Sequence, residues 1–413
     1  MKHTILGSMF LFAVIGCQHK KNDVLTENLK KTDLNDTTTF VTVDRNVVKV
    51  RVPHPAKKQL KTSALIEEFK YIPIETADSA LMGQYKNIHI FDNRICIQDV
   101  ETRMAYLFDI DGKYINKIGK TGRGPGEMIR LTALTVDPFN RHLVAYDAFL
   151  DKLFYFTLDG QFLFTKQMSL RSNQNIRVIT PNRIAFGVNR TEDNSHIQEL
   201  EHYNILYTDS ALNVLGGTLP APMNFTPRYS PTSFSSNQDR VGYTPLLTPD
   251  FFEFTEDTLV HKYHFDYVGF DKPFVLEDLN SSDENGDNMD FLFSSTRMLP
   301  PILFTDNFLW FKTQTPDVSD EFYSYYDKFS DKMISFRPCD LEYDTEFRFA
   351  SVLTAYEDYL VGYVQAAHLL HLKENYDKSN RKMDPAIADM IDNLQSDDND
   401  ILVFFKLSMP IFD

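Results

Sequence analysis

The sequence predicts an all-β protein: a six-bladed β-propeller of four-stranded antiparallel blades, closed by an N-terminal strand, with a short helical insertion near the C-terminus. Residues 94–115 and 141–163 repeat one pattern, which aligns Asp99 with Asp147, 48 residues further on. Aromatic residues make up 13% of the chain, and nearly all are Phe or Tyr, as expected for sheets packed face to face. The last predicted blade also lacks one strand, while a strand near the N-terminus is left over.

The N-terminus resembles an export signal followed by a lipid-anchor site. An apolar run over residues 5–15 is too short to span a bilayer, which needs about 20 residues, but is typical of a signal peptide. Gly16 directly before Cys17 resembles a bacterial lipobox, in which the thiol receives diacylglycerol and the chain is cut before the cysteine. We therefore predict a lipoprotein signal peptide at 1–16 and lipidation at Cys17, which would hold the protein to the membrane.

Residues 17–40 are polar and without sustained periodicity, which predicts a flexible tether ahead of a propeller over 41–413. The run from Gln18 to Lys21 is basic, whereas acidic residues directly after such a cysteine often accompany display on the cell surface. We expect a cell-envelope protein, lipid-anchored to the outer membrane, with the periplasmic side favoured.

Charge and cysteine content exclude some partners and chemistry. The formal net charge is −16 and the sequence pI is about 5.1, so the overall field repels phosphate backbones and nucleic acid is not an expected partner. Three cysteines are too few for a disulfide framework. We interpret Cys96 and Cys339 as small buried hydrophobic residues and not as a disulfide pair.

Blades 1 and 2 follow directly from the repeat. Asp111-Gly112 and Asp159-Gly160 predict two-residue hairpin turns that need positive φ. Apolar alternation gives strands at 87–92, 94–100, 104–110 and 113–119 for blade 1, and at 133–138, 142–148, 152–158 and 161–166 for blade 2.

The later blades have weaker patterns. We predict blade 3 at 176–181, 183–189, 202–209 and 214–220; blade 4 at 243–247, 251–255 and 259–267, with its first strand within 220–237; blade 5 at 301–306, 307–314, 321–329 and 332–338; and blade 6 at 348–354, 358–365 and 401–407. A helix is predicted over 384–394, before the last strand. Because an open sheet edge invites aggregation, we expect residues 69–76 to pair with 401–407 and close the ring.

Several segments together resemble the six-bladed β-propeller lipoproteins of Bacteroidetes-type bacteria, a family related to NHL-repeat propellers. They are IGKTGRGPGEM (118–128), YIPIET (71–76), the Asp-Gly turns and ILVFFKL (401–407), and VAYDAFLDKLFYFTLDGQFL (144–163) matches the NHL pattern. The resemblance covers roughly residues 40–408 and implies an outer-membrane or periplasmic binding protein without a named activity.

One rim of the predicted ring collects the candidate ligand-binding residues. In a four-stranded meander, the connections from second to third strand and from one blade to the next emerge on the same face. The candidates there are Asp99, Glu101, Arg123, Glu127, Asp147, Asn189, Lys312 and Gln365. An Asp at a strand end commonly caps its own turn, so we favour this structural role over ligand binding for Asp99 and Asp147. The glycine-rich loop 118–128 matches no phosphate-binding pattern, and we interpret it as a rigid corner between blades.

Metal and catalytic motifs are weak. Residues 283–294 fail the EF-hand spacing, because position 6 is Asn288 and position 12 is Ser294. His261 and His264, three apart on a strand, should point to opposite faces, so zinc chelation by a pair with this spacing would need a helix, a condition that only His368 and His371 could meet. Neither a His-Glu-x-x-His motif nor a Gly-x-Ser-x-Gly elbow occurs.

We therefore expect a non-catalytic, membrane-tethered binding or interaction protein without a cofactor, which recognises a small molecule, glycan or protein at the propeller mouth. The alternatives are a calcium-dependent lactonase- or esterase-like hydrolase that uses tunnel carboxylates, and a structural subunit of an outer-membrane complex.

Overall fold

Six sheets, each with four antiparallel strands, follow one another along the chain in the computed structural model, and each is one blade of a propeller. The structure describes residues 29–408 except 32, 36, 56–58, 125, 173–174, 189–191, 222–232, 247, 256–257, 275–293 and 318–319. The predicted signal peptide and lipidation site, Cys17, lie outside the described residues. The predicted fold class is confirmed.

Blades 1 and 2 have the predicted strands in the predicted order. Their bounds are Tyr85–Phe91, Arg94–Asp99, Ala105–Asp109 and Tyr114–Ile118, then Ala133–Asp137, His142–Asp147, Lys152–Thr157 and Phe162–Gln167. The first strand of each blade lies innermost, and every neighbouring pair within a blade is antiparallel.

The predicted two-residue turns are wrong in detail. Gly112 has φ of +85°, but Asp111 is not among the described residues with positive φ. Asp109 N–H donates to the Lys113 carbonyl at 2.8 Å, which leaves three residues in the loop. Such a three-residue hairpin loop is common: a turn is followed by a glycine in the left-handed conformation. Only the glycine then needs positive φ.

Blades 3 and 4 each have a fifth strand, which comes from the N-terminal segment. Blade 3 consists of Asn175–Thr180, Arg183–Gly187, Tyr203–Thr208 and Val214–Pro220, and blade 4 of Phe234–Asn237, Arg240–Tyr243, Asp250–Phe254 and Leu259–Asp266. Thr38–Thr39 and Thr42–Arg51 pair in parallel with the outer strands of blades 3 and 4 respectively. The predicted strand at 243–247 is wrong, since the second strand of blade 4 ends at Tyr243.

The last part of the predicted tether, 17–40, is packed on blade 3, which differs from the expectation of a free linker. Leu29 is buried in the apolar cluster between blades 2 and 3. Lys30 Nζ donates to the Ala211 carbonyl at 2.7 Å and to Asn213 Oδ1 at 2.6 Å. The sequence did not predict these contacts, because the segment is polar and contacts made by only two of its residues produce no periodic pattern.

Blades 5 and 6 complete the ring, and the predicted closure is confirmed. Blade 5 consists of Arg297–Phe304, Phe308–Gln314, Glu321–Asp327 and Lys332–Phe336, and blade 6 of Ser351–Tyr356, Tyr359–Val364, Ile401–Leu407 and Ile66–Pro73. The last of these strands pairs antiparallel with Ile401–Leu407, so that Ile72 stands opposite Leu402. Ile72 is buried in the cluster between blades 6 and 1.

Helices occur mainly as an insertion in blade 6. Ala366–Lys378 and Pro385–Asp392 lie between its second and third strands, and the second matches the predicted helix at 384–394. Asp384 caps that helix by accepting from Ala386 N at 2.9 Å. A one-turn helix spans Thr62–Leu65, and 3₁₀ turns span Ser195–His202 and Pro338–Asp340.

Two short parallel pairings complete the secondary structure. Lys120–Thr121 pairs with Glu127–Met128, so the glycine-rich loop is a closed corner as interpreted, and Leu60–Lys61 pairs with Leu341–Glu342. The described part of residues 29–73 thus crosses the outer edges of blades 3 and 4, contacts the segment after blade 5 and ends in blade 6. We call it the N-terminal belt. None of the helices that the structure describes is long and apolar enough to cross a membrane.

Candidate ligand site in the central channel

A cavity of about 250 Å³ lies at one mouth of the central channel. The inner strands of blades 1, 2, 3, 4 and 6 line it, together with the turns that lead from first to second strands. Its outermost wall includes Asp92, Gln238, Asp239 and Tyr356. Because five blades converge there, the cavity exists only in the closed ring.

Arg177 lines this cavity from the inner strand of blade 3 and is 9% exposed. Its Nη1 donates to the Ile176 carbonyl at 2.7 Å, while its Nε is buried and has no hydrogen-bond partner among the described residues. Burial lowers the pKa of the guanidinium to about 10, so it still carries a positive charge at neutral pH. A buried charge without a counter-charge is costly, which makes this residue conspicuous.

His89 lines the same cavity from the inner strand of blade 1 and is 8% exposed. Burial, with a smaller effect of the Arg177 charge, lowers the pKa of its imidazole to about 3, so the ring is neutral near pH 7. Nε2 of the ring is buried and has no hydrogen-bond partner among the described residues. The cavity is therefore lined by one cationic side chain and one neutral imidazole.

Sequence analysis did not find these two residues, although a signal was present. Both lie inside predicted inner strands, NIHIFD (87–92) and IRVITP (176–181). A charged or titratable residue in the middle of a strand that is buried on both faces is unusual and marks a functional candidate. Which end of the ring they face could not be judged from the strand pattern.

The predicted rim lies at the opposite end of the channel. Tyr85, at the start of the inner strand of blade 1, pairs with Asp99, whereas Phe91, at its end, pairs with Arg94 and lines the cavity. The candidate residues and the cavity are therefore separated along the inner strands.

Asp99 and Asp147 are buried turn caps on that rim. Asp147 is 0% exposed, and its carboxylate accepts four backbone N–H bonds, from Ile129 at 2.6 Å, Arg130 at 3.1 Å, Phe149 at 2.9 Å and Leu150 at 3.2 Å. Asp99 accepts from Gly83 at 3.0 Å, Gln84 at 2.7 Å and Thr102 at 2.7 Å. Each carboxylate ties the start of an inner strand to the end of a second strand, which supports the structural interpretation.

The other rim candidates do not form one cluster. Glu101 and Arg123 are exposed, and Glu127 Oε2 accepts from Gly124 N at 2.8 Å within its own loop. Lys312 forms an ion pair with Glu321, and Gln365 is exposed where the Ala366–Lys378 helix begins. Asn189 lies outside the described residues. A ligand role for these residues stays a prediction.

A β-bulge brings two histidines together on the outer part of blade 4. Phe252 pairs with His261 and Phe251 with Tyr263, so one extra residue lies between them and His261 and His264 share a face. The expectation of opposite faces is wrong for this reason. Asp250 Oδ1 lies 2.9 Å from His261 Nε2 and 2.8 Å from His264 Nδ1.

The same cluster connects blade 4 to the N-terminal belt. His261 Nδ1 lies 3.1 Å from Asp44 Oδ1, on the belt strand. Burial lowers the pKa of His261, but the hydrogen bonds to Asp250 and Asp44 outweigh it, and the net pKa is raised. A protonated His261 therefore joins two carboxylates from different segments.

Metal-binding arrangements do not occur in the part of the chain that the structure describes. None of its groups of three or more His, Cys, Asp or Glu could hold an ion. His368 and His371 are exposed on the Ala366–Lys378 helix, and the acidic loop 283–293 lies outside the described residues. Cys96, buried, and Cys339, exposed, are both free, so the expectation of no disulfide is confirmed, whereas a buried Cys339 is wrong.

Comparisons with known proteins support the fold and the family resemblance. The model of a family described as Domain of unknown function (DUF4934) matches residues 46–406. The structure of a protein described as exported, from Bacteroides fragilis NCTC 9343, has a TM-score of 0.72 at 19% identity, covering 88% of this chain and 100% of that one. A DUF4221 family member from Bacteroides vulgatus has a TM-score of 0.48 at 10% identity, covering 85% and 99%. A comparison with curated proteins finds no match. The predicted resemblance is confirmed at the level of family and fold.

Proposed function

This chain belongs to the family described as Domain of unknown function (DUF4934), and on that premise we propose that it is a non-catalytic binding protein of the cell envelope, which holds a small molecule in the central cavity. The observation that carries the proposal is the cavity itself, formed by inner strands of five blades around two buried polar side chains without full hydrogen bonding. Concave sites with a few convergent polar groups are the usual ligand sites of proteins.

The size of the cavity favours a small molecule, or one terminal unit of a glycan, over a protein. About 250 Å³ is just below the range of roughly 300–1,000 Å³ that is usual for small-molecule sites. A protein partner would need roughly 800 Å² of buried surface on each side. The proposed binding requires neither a metal nor an organic cofactor.

Filling the cavity is expected to abolish binding without unfolding the protein. Thr354 is half-buried in the cavity wall. A Thr354→Trp variant should weaken the binding of any ligand found by a thermal-shift screen of sugars and small metabolites by about tenfold or more, which is about 1.4 kcal/mol, because the indole would occupy part of the volume that the ligand needs. Isothermal titration calorimetry on wild type and variant measures the change.

Thr165→Trp is the matched control, because Thr165 is exposed on the outer strand of blade 2, away from the channel. The control should bind like the wild type. If both tryptophan variants bind a ligand as well as the wild type does, the ligand lies elsewhere, and the rim around Arg123 becomes the better candidate.

The envelope location rests on the sequence and on what the Bacteroides fragilis protein is described as. Export would follow from the signal segment at 1–16, and the anchor would be acyl chains on Cys17, in the outer membrane and on its periplasmic side. An anchored binding protein would hold its cavity close to the membrane, where nutrients or envelope components pass.

A Cys17→Ser variant is expected to move from the membrane fraction to the soluble fraction and to lose incorporation of a labelled fatty acid. The serine hydroxyl cannot form the thioether that carries diacylglycerol. Cys339→Ser, at an exposed free thiol, serves as control and should stay anchored and labelled. Retention of Cys17→Ser in the membrane with its label would contradict lipidation at this position.

A further inference from the structure

We propose that the central cavity recognises a hydroxy-carboxylate, such as a sugar acid, whose carboxylate binds Arg177 and whose hydroxyl donates to His89. The inference rests on the proposed function, because it names the ligand class of the same cavity.

Arg177 supplies the recognition of the carboxylate. In the described part of the chain no carboxylate forms an ion pair with it, and the Ile176 carbonyl is the acceptor of its Nη1. A guanidinium offers five N–H donors in a planar fork, which matches the two oxygens of a carboxylate. Arg177 is part of the cavity wall, and its Nε donor is buried and without a hydrogen-bond partner among the described residues.

His89 supplies the recognition of a hydroxyl group. Burial keeps the His89 ring neutral near pH 7. A neutral imidazole has one protonated nitrogen, which donates, and one bare nitrogen, which accepts. An acceptor beside a bound carboxylate selects an O–H donor and disfavours a second anionic oxygen.

The charges around the cavity favour a ligand with one negative charge. Arg177 is the cation of the wall, while Asp92 and Asp239 lie at the mouth, where Asp92 pairs with Arg141. A phosphate monoester, close to two negative charges, would leave one of them unmatched near Asp239. The chain's net charge of −16 also opposes the approach of polyanions.

A purely structural role for Arg177 makes a different prediction from a binding role. Its described hydrogen bond reaches only the carbonyl of the preceding residue and connects no second strand. Replacing a buried, uncompensated charge by an apolar side chain of similar length is often neutral or stabilising. We therefore expect Arg177→Met to keep or raise the melting temperature of the unliganded protein while losing ligand binding.

Calorimetry at fixed ionic strength with D-glucuronate, D-glucose, acetate and inorganic sulfate tests the inference. Glucuronate should bind most tightly. Glucose should bind more weakly because it cannot form the ion pair, and acetate and sulfate should bind more weakly because they have no hydroxyl group to donate. Arg177→Met should weaken the binding of glucuronate about 10- to 100-fold, which is the range expected for the loss of a hydrogen bond to a charged group. His89→Phe should weaken glucuronate but not acetate. Arg45→Met, an exposed arginine on the belt, should change nothing.

The outcomes separate this inference from the proposed function. If glucose binds as well as glucuronate, and Thr354→Trp removes both while Arg177→Met removes neither, the cavity binds ligands but the acid preference is wrong. If Arg123→Met loses glucuronate binding and Arg177→Met does not, the carboxylate binds at the opposite rim, and the inference is overturned. A large fall in melting temperature of unliganded Arg177→Met, or no binding of either acid probe to the wild type, would also overturn it.

Discussion

Replacing Asp147 by alanine is expected to lower the free energy of unfolding by about 3–5 kcal/mol, although this residue lies on the rim where a ligand was predicted. The carboxylate is fully buried and accepts four backbone N–H bonds. Removing it leaves four buried donors without an acceptor, and bonds to a charged acceptor are the stronger kind. Equilibrium denaturation in guanidinium chloride, followed by circular dichroism, measures the change.

Asp147→Asn separates geometry from charge. One amide oxygen can still accept two of the N–H bonds, but the NH₂ group then faces the other two donors, so we expect a loss of about 2–3 kcal/mol. Asp159→Ala is the control, because that carboxylate is 62% exposed and pairs with Arg94 on the surface, and it should cost less than about 1 kcal/mol. Unchanged stability of Asp147→Ala together with loss of ligand binding would restore the rim as the binding site.

Introducing a carboxylate at Ile72 is expected to have the largest effect on folding. Ile72 belongs to the closing strand, stands opposite Leu402 and is buried between blades 6 and 1. Ile72→Asp would place a charge in this cluster and weaken the joint between the two ends of the chain. We expect a loss of more than about 4 kcal/mol, or the absence of a cooperative transition.

Glu67→Gln is the matched control on the same strand, because Glu67 is exposed, and it should stay within about 0.5 kcal/mol of the wild type. Size-exclusion chromatography alongside denaturation distinguishes an opened, associating ring from a folded monomer. A monomer of Ile72→Asp that melts like the wild type would show that pairing of the N-terminal strand is not what holds the ring closed.

Local chemistry made much of the fold predictable. The alternation in blades 1 and 2, the left-handed glycine in the hairpin between their third and fourth strands, and the Asp384 cap of the last helix all depend on residues close together in sequence. The closing strand was also predictable. The last blade lacks one strand and the N-terminal segment has one left over, and few arrangements of a closed ring can satisfy both. In blade 4 the pattern failed, because its first two strands are four residues each and carry mostly Ser, Asn, Arg and Gly.

The sequence by itself determined the propeller, its closure and the nature of the turn caps, because strand periodicity and turn chemistry act over a few residues. Only the tertiary structure decided which mouth of the channel holds the cavity and that the N-terminal belt crosses the blades from outside. His89 and Arg177 are 88 residues apart, and they line one cavity only because the ring brings blades 1 and 3 to a common axis. Burial and missing partners, which make them candidates for binding, are properties of that closed ring.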